Sequence, residues 1–309
     1  MRAAFYEKPA KDNSTLRTGQ RPSPTVGPGT VLIEVRAAGV NPVDWKVMAG
    51  GLDGLMDTRL PAIPGWDVTG VVVETGPDTP EFAPGDEVMA YARKETVHGG
   101  TFAQYVAVPV EAVAAKPAAL SWEGAGGLPL AGLTALRVLR LTGVYPQGAG
   151  RTVLVHAAAG GVGSMAVQLA RAAGARVIGT ASERSFDYLR GLGAEPVEYG
   201  EGLRERVQPL APEGVDAVVD FVGGVEDVTL AVLREGGAHA SVADPSVLAH
   251  GGQFVWVRPS GAELEVLSEH VSAGELTVNV AQAFGLDEVG AAFDASRSGS
   301  TRGKLVIVP

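Results

Sequence analysis

Residues 153–166 read Val153-Leu154-Val155-His156-Ala157-Ala158-Ala159-Gly160-Gly161-Val162-Gly163-Ser164-Met165-Ala166, and this stretch decides the fold. Apolar residues on consecutive positions, within a strand expected over Thr152–His156, predict burial on both faces. A run of small residues ends the strand, and Val162–Ala173 predicts a helix. Glycines in such a turn permit a tight reversal and let the backbone approach a diphosphate. The helix that follows presents unpaired N–H groups and the positive end of its dipole. As a dinucleotide fingerprint, Ala158, Gly160 and Gly163 fill the three small positions, with Gly161 and Val162 between them and Ala in place of the first Gly. Gly161, Gly163 and Ala166 satisfy the same spacing, so the sequence leaves the register open.

Downstream, strands and helices continue to alternate. Strands are expected over Ala175–Ala181, near Val197 and over Val215–Val222, with helices over Glu183–Leu192 and Gly202–Leu210. Short connections between them predict an α/β unit with a doubly wound parallel sheet. Ala262–Ser272 reads as one more helix. Upstream of Ser121 the pattern differs. Val31–Ala37 alternates, with Ile33 and Val35 on one face and Glu34 and Arg36 on the other. Val68–Glu74, Glu87–Tyr91 and Phe102–Val108 are further strands, separated by Gly-Pro-Asp and Pro-Gly-Asp turns. Short strands at this spacing suggest a small barrel. Leu305–Val308 is again strand-like and is expected to return to the first domain.

Composition narrows the function. A chain of 309 residues can build two cores, and its 42 Gly and 20 Pro are spread between apolar segments, which favours tight turns over disorder. A net charge of −10 leaves no excess of cations for phosphates, so no nucleic-acid partner is expected. With no Cys there is no thiolate ligand or cysteine nucleophile, and a reducing compartment is compatible. Met1–Tyr6 is strand-like rather than a basic start before an apolar run, and no apolar stretch reaches membrane-spanning length. A soluble, cytoplasmic protein is the expectation.

The strand after the glycine-rich turn ends in Ile178-Gly179-Thr180-Ala181-Ser182-Glu183-Arg184. An acidic residue at this strand end would hold a ribose 2′-hydroxyl; Thr180, Ala181 and Ser182 stand there instead. Ser182 offers a hydroxyl and Arg184 a forked cation, the chemistry of a 2′-phosphate site. Glu183, at a helix start, is expected to point away. The cofactor expected is therefore NADP(H).

Four segments together resemble the medium-chain dehydrogenase/reductase superfamily, most of all its zinc-free, zeta-crystallin-like quinone oxidoreductases. They are Ala37–Lys46 (AAGVNPVDWK), Pro64–Val72 (PGWDVTGVV), Pro129–Ala135 (PLAGLTA) and the Ala-Ala-Gly-Gly-Val-Gly turn. The resemblance implies a GroES-like β-barrel domain over 1–122, completed by 275–309, and a Rossmann NADP-binding domain over 123–274, with the active site in the cleft. It also implies a homodimer. Zinc-dependent relatives carry a Cys near Gly39–Asp44 and His-Glu in the second segment; here Val43-Asp44 and Trp66-Asp67 stand in those regions. The five His show no ligand spacing, so no metal is expected.

Carried over residue by residue, the resemblance puts Ser182, Arg184 and Tyr199 around the 2′-phosphate and Thr134 beside the nicotinamide and diphosphate. Val222, Val242, Phe254 and Val257 would line the ribose and nicotinamide, and Lys304 would lie near the cofactor. Asn41 matches a position facing the substrate and would hydrogen-bond a developing oxyanion, with Asp44 orienting it or relaying a proton. Tyr6, Trp45 and Tyr91 would be stacking walls for a flat acceptor. Three functions fit: reduction of a quinone or similar conjugated carbonyl, an enoyl or 2-alkenal reductase of a biosynthetic pathway, and a non-catalytic NADPH-binding structural or regulatory protein. The loop Gly50–Arg59 would separate the first two.

Overall fold

The structure, a computed structural model, describes residues 1–309. The chain divides into two units. One comprises Met1–Leu130, Arg258–Ser272 and Val278–Pro309; the other comprises Ala131–Val257 and Ala273–Thr277.

The first unit is mostly β. Its N-terminal part contains β1 (Arg2–Tyr6), β2 (Leu16–Gln20), β3 (Thr30–Val40), α1 (Pro42–Met48), β4 (Asp57–Ile63), β5 (Asp67–Thr75), β6 (Glu87–Tyr91), β7 (Thr96–Gly99), β8 (Tyr105–Pro109), β9 (Val113–Ala115) and α2 (Trp122–Gly127). Helix α3 (Pro129–Leu141) begins at the boundary. The second unit holds β10 (Thr152–Val155), α4 (Gly161–Ala172), β11 (Arg176–Ala181), α5 (Phe186–Gly191), β12 (Glu195–Glu198), α6 (Leu203–Val207), β13 (Val215–Asp220), α7 (Glu226–Val232), β14 (Leu233–Ser241) and β15 (Gln253–Phe254). The chain then completes the first unit with α8 (Gly261–Ser272), β16 (Val280–Gly285), α9 (Val289–Arg297) and β17 (Lys304–Val308).

The second unit is one parallel sheet in the order β12-β11-β10-β13-β14-β15. The order reverses between β10 and β13, the place where open α/β sheets take ligands, beyond the carboxyl ends of the strands. Leu154, Ile178 and Val218 on the sheet bury against Leu203, Val207 and Val232 of the helices. In the first unit one sheet runs β2-β1-β4-β7 and another β16-β17-β3-β5-β6-β9, with β8 also on β3. Strand β3 carries the alternation expected of it: Ile33 and Val35 are buried, Arg36 is exposed and Glu34 half-buried. The C-terminal strand does return: β17 lies antiparallel to β3 with Leu305 opposite Val40 and Ile307 opposite Ala38.

The compact units divide after Leu130, against an expected domain boundary at 122/123, and Arg258–Ser272 lies with the first unit. The change of pattern at Ser121 marks a helix start: the Ser121 hydroxyl caps α2 by accepting from Gly124 N at 3.1 Å. The last four residues of that helix, Gly124–Gly127, are small and buried, and a Cβ on Gly126 would sit 3.1 Å from Ala37 of β3. Helix α8 approaches β9 so closely that a Cβ on Gly261 would meet the Val113 carbonyl at 2.2 Å. The strand expected over Phe102–Val108 begins only at Tyr105, because Phe102 turns into the core against Phe293, with ring centroids 6.1 Å apart. The helices expected over Glu183–Leu192 and Gly202–Leu210 shorten to α5, preceded by a single 3-10 turn, and α6. No helix is long and apolar enough to cross a membrane.

Candidate functional site

Two clusters, one in each unit, carry the candidate chemistry. In the second unit β10 runs into the glycine-rich turn. Ala157 adopts a left-handed φ of 53°, and its N–H donates to Thr180 Oγ1 at 3.1 Å while Ala158 N donates to the Thr180 carbonyl at 3.0 Å. The turn is thereby fastened to the end of β11. A Cβ on Gly163 would lie 2.2 Å from the Ala157 carbonyl, so only Gly lets α4 start this close to the strand. Gly160 precedes the helix in extended conformation. Ala158 lies against Gly179, where an added Cβ would be 2.8 Å away. The three close-approach positions are thus Ala158, Gly160 and Gly163, whereas Ala166 is already inside the helix. The first-turn N–H groups of Gly161, Val162 and Gly163 have no acceptor within the helix, and Ala159 to Val162 stay half-buried. An anion is what such a rim accommodates.

Beside it, Ala181 of β11 pairs with Glu198 of β12, so Ser182 and Tyr199 leave adjacent strands side by side. Ser182 is half-buried, Arg184 and Glu183 are exposed, and Tyr199 is 60% exposed. Thr180, near the strand end where an acid was absent, is buried and serves the turn. Thr134 is buried on α3, Val222 is exposed, and Val242, Phe254 and Val257 are half-buried. Two loop-end residues not singled out from sequence stand here. Asp220 closes β13 and accepts from Val222 N at 2.8 Å and Ser241 Oγ at 2.6 Å. His156 is buried 3.4 Å from Thr229 Oγ1, and burial pushes its imidazole down to about 4. The signal for Asp220 was a carboxylate ending an apolar strand just before a Gly-Gly turn.

The first unit buries a polar network. Because β17 pairs with β3 at Leu305–Val40, Lys304 arrives next to Asn41. Its ammonium donates to Asn41 Oδ1 at 2.5 Å and to the Val40 carbonyl at 3.1 Å, with Asp67 Oδ2 3.9 Å away. Asn41 Nδ2 donates to Asp67 Oδ2 at 2.8 Å, and Asp67 Oδ1 accepts from Leu130 N at 2.7 Å. Asp44 Oδ2 accepts from Asn41 N at 2.7 Å, half of a capping box on α1, while its Oδ1 is buried without a partner. A Cβ on Gly39 would fall 2.8 Å from Asp67 Oδ2, so that glycine makes room for the carboxylate. Desolvation raises Asp44 to about 8 and Asp67 to about 6, with Lys304 opposing the rise in both; it also lowers Lys304, which the two carboxylates hold up. Two acids share one buried cation, and Asp44 is the one left protonated near neutrality.

Several expected roles meet different surroundings. Lys304, expected beside the cofactor, commits its ammonium to Asn41 and Val40. The amide of Asn41 is taken up on both sides, leaving one Nδ2 hydrogen. Tyr6 and Tyr91, expected as stacking walls, are fully buried, with Tyr91 edge-on to Trp66 at 6.2 Å. Burial pushes the Tyr6 phenol up to about 12, and that of Tyr91 up as well. Trp45 donates from its indole N–H to Ser296 Oγ at 3.1 Å, and the Arg297 guanidinium lies 5.4 Å from its ring. Three amphipathic aromatics in a β-rich chain read equally well as core or as site; only packing separates the two.

Residues 27–118 match the alcohol dehydrogenase GroES-like domain and residues 192–307 the zinc-binding dehydrogenase family. The 2-methylene-furan-3-one reductase of Solanum lycopersicum is 35% identical over 93% of this chain and 73% of its own length. The chain belongs to the medium-chain dehydrogenase/reductase superfamily. Another relative in the superfamily, the chloroplastic NADPH-dependent alkenal/one oxidoreductase of Arabidopsis thaliana, is 34% identical over 93% of this chain and 74% of its own. The quinone oxidoreductase of Coxiella burnetii superposes with a TM-score of 0.87 at 32% identity, covering 100% of this chain and 99% of that one.

Proposed function

We propose that the protein is an NADPH-dependent oxidoreductase that delivers hydride to a quinone or a similar conjugated carbonyl acceptor without zinc. The observation that carries the reading is the turn before α4, where a Cβ on Gly163 would fall 2.2 Å from the Ala157 carbonyl and the first-turn N–H groups of Gly161, Val162 and Gly163 have no acceptor within the helix. NADPH, when bound, supplies the hydride from C4 of its nicotinamide. The N–H groups of Gly161, Val162 and Gly163 would hold the diphosphate, and Ser182, Arg184 and Tyr199 the 2′-phosphate. Thr134, Val222, Val242, Phe254 and Val257 would orient the ribose and nicotinamide. Asn41 keeps one amide hydrogen for an acceptor oxygen, and protonated Asp44 is a store for the proton that follows hydride.

Zinc-free chemistry is supported by the donor set. The chain has no Cys, and a lysine ammonium stands among the acids of the first unit. An acceptor that is electrophilic already needs positioning more than a Lewis acid. The absence of Cys is compatible with a reducing compartment, and the same reading takes the protein to be a cytoplasmic homodimer. Light scattering of the purified protein tests the homodimer. A 2-alkenal or enoyl acceptor is the second reading, favoured by the names of the Solanum and Arabidopsis relatives. Oxidation of NADPH, followed by nicotinamide absorbance against ortho- and para-quinones, enones and aldehydes with an NADH control, tests both. Turnover with quinones is expected. Turnover only with enones would transfer the assignment to the second reading, and tight NADPH binding with no turnover would make the protein a non-catalytic binder.

A further inference from the structure

Asp220 and Ser241 end neighbouring strands, β13 and β14, and both are buried. Asp220 Oδ1 accepts from Val222 N at 2.8 Å and Gly223 N at 3.0 Å; Oδ2 accepts from Gly223 N at 3.1 Å and from Ser241 Oγ at 2.6 Å. The Ser241 oxygen in turn accepts from Ala243 N at 3.0 Å and Asp244 N at 2.9 Å. Asp244 then reaches back, accepting from Gly224 N at 3.2 Å. One continuous chain of hydrogen bonds therefore laces the loop after β13 to the loop after β14. The first loop needs lacing. Gly223 and Gly224 both lie in the left-handed region, at φ of 83° and 68°, a conformation that glycine holds weakly by itself.

Asp220 stands at the end of β13, beside the reversal of strand order, in the half of the sheet opposite the Ser182–Arg184 corner. In a sheet of this order each half takes one mononucleotide. We infer that Asp220 and Ser241 are positioning residues that hold the Val222–Gly224 and Val242–Asp244 loops in register for the nicotinamide–ribose half of the cofactor. The inference rests on the dinucleotide reading proposed above. Neither side chain is directed at the ligand: every acceptor position of Ser241 and both carboxylate oxygens of Asp220 are filled by loop donors. The exposed Val222 and half-buried Val242 are the surfaces the lacing presents.

Titration of the full chain with NADPH and with 2′,5′-ADP, which lacks the nicotinamide half, separates positioning from general damage. Ser241→Ala is expected to weaken NADPH about tenfold and to leave 2′,5′-ADP within about twofold. Asp244→Ala removes the outer rung to Gly224 N together with the bond from Ser246 N at 2.9 Å that caps the following 3-10 turn, leaves the Asp220–Ser241 bond in place, and is expected to weaken NADPH about threefold with 2′,5′-ADP unchanged. Unfolding curves of both variants accompany the titration, and should Ser241→Ala not fold, Asp244→Ala alone decides. NADPH bound as tightly as by the wild type, or equal losses for both probes, would overturn the inference. A wild-type chain that binds neither probe would instead remove the dinucleotide reading itself.

Discussion

At the scale of the residue, cofactor choice comes down to which side chain stands at the end of β11. Thr180 turns inward to fasten the glycine-rich turn, and Ala181 and Ser182 follow it, so the strand end itself carries no acid for a ribose hydroxyl; the first acid beyond it is the exposed Glu183. Arg184, exposed one turn further on, is the cation nearest in sequence. Arg184→Ala is expected to raise KM for NADPH roughly tenfold, the loss of one charge-assisted phosphate contact at an exposed position, with kcat and KM for NADH little changed. Initial rates with both cofactors check this; equal losses for the two would defeat the 2′-phosphate assignment. Ser182 and Arg184 of this proposed corner are near neighbours in sequence, whereas Tyr199 joins them only through the pairing of β11 with β12.

At the scale of the element, α1 and β17 meet over a network that costs stability. Burial lifts the Asp44 carboxyl from 3.8 to about 8, so the folded state keeps a proton that the unfolded chain has released. At this site the unfolded state therefore binds fewer protons between about pH 4 and 8, and this contribution to stability falls as pH rises through that window, while buried His156, lowered to about 4, gives the opposite slope up to its ordinary 6.5. Asp67 adds to the Asp44 slope up to about pH 6. Asp44→Asn, which keeps an acceptor for Asn41 N, is expected to flatten the decline between pH 6 and 8 and to leave the part due to Asp67. Thermal unfolding across that range measures it, and an unchanged slope would place the proton elsewhere. A network this deep is retained against its desolvation cost, which fits a functional more than a stabilising role.

At the scale of the whole molecule, the first unit is closed by the last residues of the chain. Strand β17 lies between β16 and β3, and it delivers Lys304 to a partner 263 residues away in sequence. Deleting Gly303–Pro309 removes that strand and leaves Asn41 and Asp67 buried without their cation. The first unit is expected to lose its cooperative transition, while the parallel sheet of the second keeps its strands, since all six lie between Thr152 and Phe254. Limited proteolysis with mass spectrometry reads this as cuts within residues 1–130 and protection of 152–254. Cuts spread evenly over both would show that the nucleotide unit does not stand alone.

The amino-acid order by itself determined the nucleotide-binding half. Local sterics decide a strand, a glycine turn and a helix start, and a contact such as Gly163 on Ala157 spans six positions. The doubly wound sheet and the glycine-rich turn follow from that, whereas the close approaches at Ala158, Gly160 and Gly163 emerge only once the turn packs on β11 and α4. The buried cluster of Asn41, Asp44, Asp67 and Lys304, the burial of Tyr6 and Tyr91, and the Asp220–Ser241 lacing were decided only by the tertiary structure. Each depends on strand register between distant segments, and burial, which sets both pKa and partner, is a property of the packed chain and not of its letters.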